Sequence, residues 1–240
     1  MTLFNMKFIK FLLIIIVFVG LTSSNNIGNL DRLSASFISR QVQQGKSVTV
    51  KGELFYQNNG NLTSHFILPK EYILIANKLG ESKVYDPSNN TVMLFQNIMY
   101  STQSTQFAYF LSGKKNDMGL SNFGYIQERT FFEGKLFISE WKLKKQDPKS
   151  QIQKVKLVLD QQKPIYMDYK DKTGKVIRKV YYYSYQKLMN FDFPSVTTEI
   201  IYEGKDSVVS KTIYDNFKLN EEANSKYFNY LIPANAKSIN

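Results

Sequence analysis

The chain has 240 residues, 43% of them apolar, which is enough for one large domain or two small ones with a sizeable core. It has no cysteine and a single histidine, His65, so disulfide frameworks, thiol nucleophiles and Cys/His metal centres are excluded by counting. The net charge of +11 favours anionic partners, and the 15% of aromatic residues, mostly Tyr and Phe, favours strands.

The first residues read as an export signal spanning 1–24. Lys7 and Lys10 precede an apolar run from Phe11 to Leu21, and Thr22-Ser23-Ser24 supply small residues for cleavage. That run is shorter than the roughly 20 apolar residues a bilayer span needs. Removing it takes away two lysines and no acid, leaving +9. Without cysteine there is no site for an N-terminal lipid, so a soluble mature protein over 25–240 in the periplasm is expected, as a single domain and a monomer.

After the signal, 29–44 reads as an amphipathic helix. Leu30, Leu33, Phe37 and Gln41 fall on one stripe, Asn29 can cap the start and Gly45 follows the end. Strands come next. In 47–57, Val48, Val50, Gly52, Leu54 and Tyr56 alternate onto one side, and Asn58-Asn59-Gly60 turns the chain into the strand 62–68. Pro69 breaks the run, and 71–95 divides into three strand-length pieces at Gly80 and at Asp86-Pro87-Ser88-Asn89-Asn90.

Near Ser101 the period changes. Phe107, Phe110 and Leu111 lie at helical spacing before Gly113, predicting a short helix that interrupts the sheet. From Tyr125 to Phe217 strand signals alternate with turns such as Glu133-Gly134, 170–174 and 203–207, predicting one continuous chain of hairpins without a linker or repeat.

Candidate chemistry is sparse. His65 alternates with apolar neighbours and reads as a sheet residue, and no other group titrates near neutrality. Glu128, Glu133 and Glu140 are spaced as solvent-facing strand positions, and no Gly-rich phosphate loop is present. An enzyme is not expected, nor a cofactor or metal. The lysines are dispersed and no nucleic-acid motif accompanies them, so nucleic acid is not expected, and anionic lipid head groups or an acidic protein fit the charge better. Aromatic-rich strands such as 181–185 carry more apolar area than one face of a thin sheet hides. They leave two readings open, a filled sandwich core or a curved sheet around an apolar cavity.

The order of these pieces resembles the periplasmic outer-membrane lipoprotein carrier (LolA) family. The likeness rests on Ser36-Phe37 with Gln41-Val42, the Gly52-x-Leu54 strand, Pro69, the Gly80 turn, Tyr85-Asp86-Pro87, the apolar helix, and Phe228 with Pro233. The resemblance implies a mainly β, α+β fold: a strongly curved antiparallel sheet forming an incomplete barrel, capped by helices over an apolar cavity. It implies a carrier that takes the acyl chains of lipoproteins, or of other lipids, from an inner-membrane exporter to an outer-membrane acceptor or membrane surface. A related envelope lipid-binding or sensory module on the same fold is the alternative. Covering an acyl chain of about sixteen carbons offsets on the order of 12 kcal/mol of exposure. The lid is expected from Leu30, Leu33 and Phe37 of the first helix and Phe107, Phe110 and Leu111 of the second. The cavity floor is expected from Leu54, Tyr56, Phe66, Leu68, Tyr72 and Leu74. Where the family has Arg-Pro after the Gly-x-Leu strand, with an arginine that helps latch the lid, this chain has Asn58-Asn59-Gly60.

Overall fold

The computed structural model describes residues 30–96, 102, 106–111, 117–145 and 150–239. The export signal expected over 1–24 lies outside them. The described residues build one curved, open sheet of 14 strands. Its first half is β1 (Arg32–Gln43), β2 (Lys46–Gln57), β3 (Leu62–Leu68), β4 (Tyr72–Ala76), β5 (Glu81–Asp86) and β6 (Thr91–Gln96). A short helix, α1 (Gln106–Leu111), leads to the second half: β7 (Tyr125–Glu133), β8 (Leu136–Leu143), β9 (Lys154–Asp160), β10 (Lys163–Lys170), β11 (Val176–Leu188), β12 (Phe191–Glu203) and β13 (Asp206–Leu219). A last short strand, β14 (Lys237–Ile239), follows two 3-10 turns.

The spatial order is β14-β6-β5-β4-β3-β2-β1-β13-β12-β11-β10-β9-β8-β7. The chain therefore steps outward from β1 to β6, crosses by way of α1 to the opposite edge, and steps back inward from β7 to β13. The two meanders join where β13 pairs antiparallel with β1, from Leu33 opposite Leu219 to Gln43 opposite Val208.

The helix expected over 29–44 is instead strand β1. Leu33 and Phe37 satisfy helical spacing, but Leu33, Ala35 and Phe37 also alternate, and Leu33 and Ala35 are buried. Antiparallel ladders on both sides, to β2 and, with a bulge between Ser34 and Ser36, to β13, fix this alternation, and Ser34, Ser36 and Ser39 lend a helix little support. Gly45, read as a helix stop, forms a two-residue hairpin turn with Gln44, both at positive φ (48° and 74°), between the paired Gln43 and Lys46. Beyond β1 the hairpins fall where the turn residues put them, including Asn58-Asn59-Gly60 and the reversal after Asp86.

Register sorts each strand into an inner and an outer face. The inner-face cluster includes Leu33, Ala35 and Leu54 on β1 and β2, Trp141, Leu157 and Met167 on β8 to β10, and Val180, Tyr182 and Phe193 on β11 and β12. Tyr109, Phe110 and Leu111 of α1, with Met118 and Leu120 of the next turn, pack into it. On the outer face of β2 to β5 the segment after β13 forms a strap. Phe228 is buried edge-on against Phe55, Tyr227 stacks on Phe55 and on His65 at 4.3 Å, and β14 then pairs parallel to β6.

Candidate functional site

The inner face of the first half is the candidate site. Alternation along β2, β3 and β4 and their pairing set Tyr56 opposite Leu62, Gly52 opposite Phe66, Phe66 opposite Tyr72 and Leu62 opposite Ala76. Leu54 and Leu74 both pair with Ser64, so they share that face. Five of the expected floor residues, Leu54, Tyr56, Phe66, Tyr72 and Leu74, thus share one surface. Leu68 follows a bulge at the end of β3 and is 45% exposed, so it does not line the floor. The surface continues through Val84, opposite Leu74, to Met93, and through Ser82 to Phe95. These residues were missed by sequence reasoning, although the alternation in 82–85 and 93–95 carries the signal.

Phe37 closes one side of this surface. Its ring meets Phe66 edge-on at 5.7 Å and lies over Gly52, where an added Cβ would come within 2.8 Å of the ring and 2.5 Å of the His65 carbonyl oxygen. Phe66, Tyr72, Leu74 and Val84 are half-buried, and Met93 and Phe95 are 36% and 43% exposed. The first half therefore presents an apolar surface in direct continuity with the core.

The expected lid residues divide. Phe110 and Leu111 are on α1 and buried in the core, and Phe110 meets Tyr182, Tyr185 and Phe193 edge-on at 5.3, 6.2 and 5.9 Å. Phe107 is on the same helix, but its side chain lies outside the described residues. Leu33 and Phe37 belong to sheet strand β1, and Leu30 is buried just ahead of it, so these three are part of the floor and core rather than of a lid helix. Tyr109 was not anticipated. Its ring packs on Gly119, which sits at φ 76° where a Cβ would meet the ring at 2.0 Å, so a side chain there would displace the helix.

The inner face grades from apolar to polar along the strands. Near the β1–β2 turn it carries Ser39, Gln41, Ser210 and Thr212, with the Thr212 hydroxyl donating to Ser39 at 2.9 Å. Arg178 and Glu199 form an ion pair at 2.5 Å, and the guanidinium lies 4.8 Å from the centre of the Tyr169 ring. Burial works against the Arg178 charge, but Tyr169 and Glu199 outweigh it and raise its pKa. Beside this pair a cleft of about 550 Å³ is lined by Ile152, Ile177, Ile201 and Tyr202 together with Asp171, Lys172 and Glu203, a volume in the range of small-molecule sites. Burial raises the phenols of Tyr56, Tyr109 and Tyr214, the last two to about 12, so these tyrosines stay neutral at physiological pH.

The polar candidates are engaged elsewhere. His65 is on the outer face of β3, with Nε2 2.8 Å from Glu71. Glu128 lies between Lys142 and Lys154 at 3.0 and 3.3 Å, Glu140 accepts from Arg129 at 2.6 Å, and Glu133 is exposed at the β7–β8 turn. Among the described residues no group of three His, Cys, Asp or Glu side chains is placed to hold a metal ion.

No family model and no curated protein matches the sequence. Solved structures do match. A LolA superfamily protein from Nitrosomonas europaea superposes with a TM-score of 0.57 at 12% identity, over 83% of this chain and 91% of that one. A DUF1329 family protein from Desulfovibrio piger gives 0.58 at 14% identity, over 85% and 92%. A domain assigned to outer-membrane lipoprotein sorting from Vibrio parahaemolyticus gives 0.56 at 11% identity, over 83% and 89%. The fold thus recurs over most of each of these proteins, and the chain has a LolA-like fold.

Proposed function

We propose that this protein is an envelope lipid carrier whose inner sheet face takes the acyl chains of a lipoprotein. The observation that carries the reading is the continuous apolar surface from Phe37 through Phe66, Tyr72 and Leu74 to Met93, left partly open beside a filled core. An acyl chain laid there would regain burial at about 0.8 kcal/mol per methylene. No covalent step is required of the protein, and its role would be to cover the chain between an inner-membrane exporter and an outer-membrane acceptor. The polar rim at Ser39, Gln41 and Arg178 would leave the hydrophilic part of the cargo in water. The lipoprotein-sorting assignment of one structural neighbour and the export-like N-terminus support the same reading.

The test is saturable binding of a fluorescent dipalmitoyl lipopeptide, together with native mass spectrometry of protein purified from its own envelope without detergent. Binding that weakens at least tenfold in Leu74→Asn, with a co-purifying acylated species in the wild type, is expected. A protein that binds no lipopeptide and carries no acylated species would end the proposal.

A further inference from the structure

The outer face at the centre of the sheet carries a surface that neither the core nor the strap uses. Register lines up a cross-strand row there: Lys51 opposite Ile38, Ile38 opposite Ile213, Ile213 opposite Val196 and Val196 opposite Tyr183. Ile38 and Ile213 are 45% and 43% exposed, an unusual placement for two β-branched residues on central strands. The neighbouring row sets Arg40 directly opposite Lys211, and the Lys211 ammonium reaches 5.9 Å from the centre of the Tyr183 ring. Arg40 and Lys51 have no ion-pair partner among the described residues, and both are exposed. The nearest acids of these strands, Glu53 and Asp215, lie toward the strap end.

Two features restrict what such a surface can bind. Like charges directly opposite each other weaken a sheet, so the Arg40 and Lys211 pairing is a stability cost that an anionic ligand would relieve. The face is the outside of a curved sheet, so it cannot enclose a small ligand or a peptide. It matches a broad, deformable, negatively charged surface, into which Ile and Tyr can settle while Lys and Arg keep their charges at head-group level. We propose that this face docks on an anionic lipid bilayer, with Arg40, Lys51 and Lys211 at the phosphates and Ile38 and Ile213 in the interfacial layer. It extends the carrier reading by naming the membrane-facing side of the molecule, which is opposite the acyl-binding face.

Co-sedimentation of the mature chain with phosphatidylcholine vesicles, with and without phosphatidylglycerol, tests it. Binding is expected only with phosphatidylglycerol, and is lost at high salt. Arg40→Glu places opposite charges across β1 and β13, so it should fold at least as well as the wild type, yet partition roughly 30-fold more weakly, from two charge units at about 1 kcal/mol each. Lys135→Glu makes the same charge change at the β7–β8 turn and should weaken binding only a few-fold. No binding to phosphatidylglycerol vesicles, or equal weakening by the two variants, would overturn the proposal. Arg40→Glu should keep its affinity for the dipalmitoyl lipopeptide. Vesicle binding in a protein that takes no lipopeptide would leave this surface standing and remove the carrier reading, whereas loss of both in Arg40→Glu would overturn the separate surface.

Discussion

The two halves of the sheet treat their inner faces differently. From β8 to β12 the face is closed by α1, with Phe110 set among Tyr182, Tyr185 and Phe193 and with Leu157, Met167 and Val180 fully buried beneath. From β3 to β6 the same face is also largely apolar, with Phe66, Tyr72, Leu74, Val84 and Met93, but half-exposed. A single curved sheet thus holds a packed hydrophobic core and a half-exposed continuation of it, and the seam is the row Phe37, Gly52 and Phe66. Rigid packing on one flank gives the other a fixed shape without using its apolar surface.

Phe110→Ala attacks that contrast most directly. Removing the aromatic plug from a site it fills completely should cost about 3–5 kcal/mol in denaturant unfolding, and a loss under about 1 kcal/mol would mean the second half is not the packed one. Gly52→Ala tests the seam. With no room for a Cβ between the Phe37 ring and the His65 carbonyl, it should cost about 1–3 kcal/mol and also weaken lipopeptide binding, because Phe37 must move. An unchanged unfolding midpoint would show that the seam gives way freely.

The smallest expected effect belongs to the β5–β6 hairpin at the open flank. The carboxylate of Asp86 accepts from Lys70 at 2.6 Å, from the Ser88 hydroxyl and backbone N–H at 2.6 and 3.0 Å, and from the Asn89 side chain at 2.8 Å. The Lys70 ammonium first, and then Ser88, hold its pKa well below the usual carboxylate range. A depressed pKa adds stability above the unfolded value of about 4, and that contribution is lost as pH falls below it. Thermal unfolding between about pH 5 and pH 2 should therefore fall less steeply in Asp86→Asn than in the wild type. Parallel curves would mean the turn holds without the charge.

Most of the sheet was legible because two signals agreed at nearly every strand: alternation along it and turn-forming residues at its ends. Asn58-Asn59-Gly60 and Asp86 to Asn90 reverse the chain where their side chains and backbone preferences direct. Residues 29–44 failed because Leu33 and Phe37 fit periods of both two and four, and the small Ala35 between them concealed the alternation. What decides for a strand is pairing on both sides, one side supplied by β13 from the other end of the sequence. In the candidate site, the shared face of Leu54, Tyr56, Phe66, Tyr72 and Leu74 followed from alternation. That Leu68 leaves it depends on a bulge, and that Tyr109 fills the other half depends on Gly119, and neither is written in a local pattern.

The pairing of β1 with β13 also has a consequence for biogenesis. Until the segment ending at Leu219 has been made, β1 lacks one neighbour and the two meanders remain separate, each with a bare hydrogen-bonding edge and an uncovered apolar face. Contacts this distant in sequence form slowly, and unpaired edges invite association with other chains. The nascent protein should depend on holding chaperones almost until its synthesis is complete, and truncation before β13 should yield aggregates rather than a smaller folded domain.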